Sequence, residues 1–169
     1  MTIKKIDAEH LQKLLRYDPE TGRFFWRMSR PKCRVGAEAG SVLKTRSCTY
    51  LRVVIDTRRY QAHRLAWLYM TGEWPSVDID HIDCNGLNNR WTNLRAATRT
   101  ENLRNSQLRS DNISGYKGVS YNSARGRWIS CIKVGDKNLH LGRFDTPEEA
   151  HAAYRVAAEK HFGEFARFA

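Results

Sequence analysis

The chain has 169 residues, of which 41% are hydrophobic and 28% charged, and its 29 Lys and Arg outnumber 18 Asp and Glu for a net charge of +11. That length makes one ordinary domain or two small ones. No apolar run reaches the ~18 residues of a membrane span. No apolar stretch comes after Met1-Thr2-Ile3-Lys4-Lys5 as a secretory signal requires. Cys33, Cys48, Cys84 and Cys131 are scattered without a Cys-x-x-Cys pair, which argues against a zinc ribbon or a disulfide framework and for reduced thiols in a cytoplasm.

Residues 7–16 read as a short amphipathic helix capped by Asp7, with Leu11, Leu14 and Leu15 on one face. Tyr17 to Gly22 reads as a turn leading into an aromatic strand, Arg23-Phe24-Phe25-Trp26-Arg27. Residues 28–48 look loop-like, with Pro31, Gly36 and Gly40; Tyr50 to Ile55 then alternates as a strand and turns at 56–59. Residues 27–64 hold ten Lys or Arg against two acids. So dense a basic block favours a polyanion and salt-dependent binding. The expectation is a basic, mostly β region over 1–60 that packs on the middle of the chain and grips nucleic-acid backbone. His63 to Met70, stopped by Gly72, reads as a helix with a core-facing side. His63 is read as structural, because no acid adjoins it in sequence.

Residues 78–105 carry the densest chemistry. Asp78-Ile79-Asp80-His81 ends an alternating strand, a turn-rich loop runs through Asn85-Gly86-Leu87-Asn88-Asn89-Arg90, and a second short strand passes through Asn93-Leu94. A helix then opens on Thr98 with Glu101 three residues on, the pattern of a capping box. Short connections bring Asp80, His81, Asn93 and Asn102 together. Asp80 and Asn102 offer hard oxygens suited to Mg²⁺ or Mn²⁺, leaving the remaining coordination positions to water and phosphate. His81 points to the other face of its strand, and an imidazole with an ordinary pKa of about 6.5 suits a general base. Asn93, facing it across the hairpin, is expected to hold the imidazole through its amide. Asp83, Asn85, Gly86, Asn88 and Asn89 are read as turn formers without chemistry.

These residues resemble the ββα-metal motif of HNH endonucleases, closest to the phage and homing or nicking enzymes. Residues like Trp74-Pro75 commonly precede that motif in phage HNH proteins. The resemblance implies that Asp80 and Asn102 bind one divalent ion, Mg²⁺ or Mn²⁺ and not zinc, that His81 is the base and that Asn93 positions it. It also implies a host-cell cytoplasmic location for a phage-encoded chain.

After a polar segment at 106–113 the pattern changes. Tyr116–Tyr121, Arg127–Val134 and Lys137–Phe144 read as three strands. A helix comes next, with Thr146 at its cap, Pro147 at the first position and Glu149 completing the box. Its stripe of Ala150, Ala153, Tyr154, Ala157 and Ala158 is small enough to sit close on a sheet. The open sheet face, with Lys117, Arg127, Lys133, Asn138, His140 and Arg143, is left for nucleic acid, joined by Arg125 in the first hairpin. Ser114-Gly115-Tyr116-Lys117-Gly118-Val119, Gly126-Arg127-Trp128, Leu141-Gly142-Arg143-Phe144-Asp145-Thr146 and Glu148-Glu149-Ala150 resemble the apetala-type DNA-binding domain of plant ethylene-response factors. That resemblance implies groove reading from the sheet. Ser120, Asn122, Asn138 and His140 stand where the plant proteins more often carry Arg or Trp, so fewer bidentate guanine contacts are expected.

The combined reading is an α+β protein: a ββα-metal nuclease motif with a basic β-rich N-terminal region, plus a C-terminal three-stranded antiparallel sheet packed on one helix. Its segments are 1–60, the nuclease motif at 61–106, a linker at 107–113 and the apetala-type domain at 114–169. The function expected is a metal-dependent endonuclease, of phage or homing type, acting on double-stranded DNA. No membrane partner and no small-molecule cofactor are expected, and the oligomeric state is open between monomer and dimer, with a monomer favoured. The alternative is a non-catalytic, sequence-recognising DNA-binding or regulatory protein.

Overall fold

Asp7 caps the first helix, α1 (Ala8–Leu14), by accepting from the His10 amide at 2.9 Å. Leu15 is already extended, and the chain passes straight into strand β1 (Leu15–Asp18), which pairs antiparallel with β2 (Arg23–Trp26). Helical spacing alone puts Leu15 on the helix face. Leu15 and Tyr17 are both buried with Arg16 exposed between them, so a strand period overlaps the helical one there, and pairing with β2 decides. The computed structural model describes residues 5–30, 33–45, 48–105, 108 and 111–168. Pro31 and, of the segment read as a linker, residues 107, 109 and 110 lie outside them. The chain divides into two compact units, Met1–Arg99 and Thr100–Ala169.

In the first unit β3 (Ser41–Lys44), β4 (Thr49–Ile55) and β5 (Arg58–Gln61) form an antiparallel sheet in that order. Strand β3 falls inside the stretch read as loop. Most of its side chains are exposed, so it carries no buried alternation to read and is recruited by pairing with β4. The β4–β5 connection is two residues, Asp56 and Thr57, both with left-handed backbone (φ 48° and 68°), as tight hairpins need. Helix α2 (Ala62–Thr71) buries Ala62, His63, Leu65, Ala66 and Leu68 and ends on left-handed Gly72. Strands β6 (Asp78–His81) and β7 (Leu94–Ala97) pair antiparallel, with Asp80 opposite Arg95 and His81 opposite Leu94. Ile79 and Leu94 join Leu11, Leu15, Phe24, Val53, Ile55, Leu65 and Leu68 in one core. The hairpin bearing the site is therefore anchored on the N-terminal residues. Truncating the fully buried Phe24 to Ala is worth ~3–5 kcal/mol of stability by cavity formation.

Helix α3 (Arg99–Arg104) starts at the boundary between the units. In the second unit β8 (Val119–Asn122), β9 (Arg127–Val134) and β10 (Lys137–Phe144) make an antiparallel sheet with β9 central. Helix α4 (Pro147–Phe162) packs on one face of it. Thr146 caps α4 through the Glu149 amide at 3.2 Å, with Pro147 at the first turn. Ala150 and Ala158 are fully buried, and Tyr154 and Ile132 fill the space between helix and sheet. The first strand begins at Val119 rather than Tyr116.

Candidate active site

The connection from β6 to β7 is a network of side chains that replace missing backbone partners. Asp83 accepts from the Asn85 amide at 2.8 Å and Asn85 from the Leu87 amide at 3.1 Å, so the Asx residues do build turns. Asp83 also accepts from the Asn88 side chain at 2.7 Å. Burial raises its pKa, but hydrogen bonds from Asn88, the Asn85 amide and Asn93 outweigh it and hold the carboxyl below its ordinary value.

Asn93 is not in the second strand. It ends a 3₁₀ turn, Trp91–Asn93, immediately before β7. Its NH₂ donates to Asp83 Oδ1 at 2.9 Å and to the Asn88 carbonyl at 2.8 Å, and its Oδ1 accepts from the Asp83 amide at 3.1 Å. Both amide hydrogens are thereby used on the loop, which corrects the expectation that they hold the imidazole. The amide facing His81 is Asn89, whose Oδ1 lies 3.2 Å from His81 Nε2. Asn89 is 1% exposed, and its other amide atom donates to the Leu87 carbonyl at 3.1 Å. Sequence reasoning assigns Asn89 to the turn alone; the signal it overlooks is that the adjacent Asn88 already serves the turn.

Two glycines let this loop approach its supports. A Cβ on Gly22, whose φ is +73°, would lie 2.4 Å from the Asn89–Arg90 backbone. One on Gly86 would lie 2.2 Å from the Thr49 carbonyl. The β1–β2 turn adds a hydrogen bond from Trp91 N–H to the Pro19 carbonyl at 3.0 Å, and Tyr17 Oη donates to the Asn89 carbonyl at 2.6 Å.

Asp80 and His81 are both buried and face opposite ways from β6. Asp80 Oδ2 accepts from Arg95 Nε at 3.1 Å and Nη2 at 3.0 Å, directly across the hairpin. The His81 ring packs edge to face on His63, with centroids 4.9 Å apart, and Tyr50 lies 6.2 Å from it. Burial lowers the His81 pKa against the opposing pull of the Asn89 hydrogen bond and the Asp83 and Asp80 charges. His63 is pushed down to about 3, by burial first and then by the neighbouring His81 and Arg64. Both imidazoles are therefore neutral at pH 7. His63, read as structural, stands directly against the candidate base. Asn102 lies on α3, in the second compact unit.

On the sheet of the second unit, the register puts Arg127, Lys133, Asn138, His140 and Arg143 on the face away from α4. Asn138 pairs with Lys133, His140 with Cys131 and Arg143 with Ile129. His140 and Arg143 are three residues apart, a spacing that regular alternation sends to opposite faces. A bulge between His140 and Gly142 inserts the extra residue that returns Arg143 to the same side. Arg127 forms an ion pair with Asp145, and Arg125 sits exposed in the β8–β9 turn. Lys117 departs from the expected face: it precedes β8, and its ammonium donates to the Arg104 carbonyl at 2.5 Å.

A hydrogen-bonded Asp–His hairpin upstream of a three-stranded sheet on one helix defines a class. Residues 60–104 match the HNH endonuclease family and residues 114–164 the AP2 domain, in that order along the chain. The chain belongs to the HNH endonuclease family and carries a C-terminal AP2 domain. Among particular relatives it is 36% identical over 107 residues to Protein 3.8 of Escherichia phage T7, an alignment covering 63% of this chain and 88% of that one. It is 37% identical over 116 residues to an uncharacterized HNH endonuclease of Acanthamoeba polyphaga mimivirus, covering 68% of this chain and 59% of that one. An AP2-like ethylene-responsive transcription factor of Arabidopsis thaliana matches 56 residues at 45% identity, 32% of this chain and 10% of the plant protein. The family supports a nuclease, and both domains support DNA binding.

Proposed function

We propose that the protein is a divalent-metal-dependent endonuclease that hydrolyses phosphodiester bonds of double-stranded DNA, leaving 5′-phosphate and 3′-hydroxyl ends. The observation that carries this reading is the His81 imidazole: neutral, oriented by a hydrogen bond, and one residue from the Asp80 carboxylate. A general base near neutral pH needs that protonation state.

The residues fit a hard cation. Asp80 already sits against a positive group, the Arg95 guanidinium. Among the described residues no three His, Cys, Asp or Glu side chains converge to form a cage. Asp80 would hold Mg²⁺ or Mn²⁺ with most of its sphere left to water and phosphate oxygens. Such an ion supplies stabilisation of charge developing on the phosphate. His81 takes the proton of the attacking water. Asn93 holds the 83–88 loop in place, and Arg95 keeps the Asp80 carboxylate oriented across the hairpin. Arg125, Arg127, Lys133, Asn138, His140 and Arg143 contact the duplex, positive side chains meeting phosphates and the strand face meeting a groove. We place the reaction in the cytoplasm of a phage host, with a monomer cutting one strand at a time.

The test is supercoiled-plasmid cleavage with Mg²⁺ or Mn²⁺, with EDTA as control, comparing the chain with His81→Ala. Nicking that depends on metal and falls by roughly 10²–10⁴-fold in the variant, with DNA binding retained, is the expected outcome. Intact plasmid throughout, beside tight salt-sensitive binding, supports a DNA-binding regulator instead.

A further inference from the structure

We propose that Asn89 is the positioning residue of the nuclease site, fixing the His81 tautomer with the proton on Nε2 so that Nδ1 presents the lone pair. This rests on the reading of His81 as the base and adds the group that makes it competent.

Asn89 donates through Nδ2 to the Leu87 carbonyl at 3.1 Å, which needs an N–H on that side. Turning the amide over would set two oxygens against each other at Leu87. Its Oδ1 therefore faces His81 Nε2 at 3.2 Å, and an oxygen there accepts only from a protonated ring nitrogen. In a neutral imidazole the second nitrogen then carries the lone pair. Buried sites strengthen such a bond and penalise its loss.

Asn89 is itself held from three directions. Its carbonyl accepts the buried Tyr17 hydroxyl at 2.6 Å. The preceding carbonyl, that of Asn88, accepts from Asn93 at 2.8 Å. Gly22 leaves no room behind Asn89 for the loop to retreat. Edge-to-face contact with His63 restrains the ring plane of His81 on the remaining side. Asn93, named by the family pattern, thus reaches His81 through Asn89, and the β1–β2 hairpin takes part in catalysis without touching substrate.

The experiment reads tautomer and turnover separately on the full chain. Long-range ¹H–¹⁵N correlation of the histidine rings at pH 8 in EDTA, with His81 assigned by loss of its signals in His81→Gln, is expected to give a pyrrole-type Nε2 and a pyridine-type Nδ1. The opposite pattern in the unaltered chain overturns the proposal without any variant. Asn89→Leu, near in size but without an acceptor, is expected to mix the tautomers and lower the kcat of plasmid nicking about 10- to 100-fold with KM unchanged. Asn89→Ala serves where Leu does not fold. A folded variant with wild-type tautomer and wild-type kcat sinks the proposal while leaving the nuclease reading intact. A chain that does not nick DNA defeats the nuclease reading, whereas equal nicking by His81→Ala removes His81 as the base and with it the role proposed for Asn89.

Discussion

Two ion pairs, one in each unit, stand in opposite surroundings. In the first, Asp80 and Arg95 form an ion pair with side-chain exposures of 6% and 12%, beside a loop whose polar groups are matched by other polar groups. In the second, Arg127 and Asp145 pair with exposures of 48% and 72% on the rim of a sheet. Burial makes the first pair expensive to break, since either partner left alone is an uncompensated charge. The second pair costs little to open, as exposed pairs contribute about 0–1 kcal/mol. A reacting centre gains from groups that do not reorganise at the moment of reaction. A surface that reads nucleic acid gains from groups that exchange a protein carboxylate for a phosphate.

Breaking one partner in each unit sharpens the contrast. Asp80→Ala is expected to lose metal-dependent nicking and to destabilise the chain by ~3–5 kcal/mol by urea unfolding, because Arg95 is left buried without its carboxylate. Activity surviving in that variant rules Asp80 out as a ligand. Gly22→Ala comes next: its Cβ meets the Asn89–Arg90 backbone, and left-handed φ adds strain, so a loss of ~1–3 kcal/mol with reduced turnover is expected in thermal unfolding and nicking.

The buried imidazoles give a pH signature. His63, held down to about 3, and His81, also lowered, stay neutral in the folded chain where the unfolded chain binds protons. Stability is therefore full above the ordinary histidine value of about 6.5 and falls as pH drops toward 3. Urea midpoints measured across that range should decline, and His63→Phe, which keeps the ring but not the proton site, should flatten the decline. An equally steep decline in His63→Phe would show that other groups carry it.

The smallest effects belong to the second unit. Lys133→Ala and Arg143→Ala are each expected to leave unfolding within about 0.5 kcal/mol and to reduce the salt slope of DNA binding by about one. Asp145→Ala releases Arg127 and should tighten binding slightly. An unchanged salt slope in both Lys133→Ala and Arg143→Ala would move the DNA contact off this sheet face.

Much is legible in the chain because it is local. The Asp7 and Thr146 caps, the Gly72 stop, the β9 alternation and the small stripe on α4 each depend on neighbours within a few residues. What sequence could not decide is long-range. Strand β3 exists through its pairing with β4, and Leu15 leaves its helix to meet Trp26. Arg143 shares a face with His140 only through a bulge in the pairing. Asn89, one of several Asn in a polar loop, reaches His81 because two residues far upstream, Gly22 and Tyr17, press and anchor its backbone. Local hydrogen bonding chooses a turn from the sequence alone; which side chain of that turn faces the imidazole depends on partners that only the folded chain brings near.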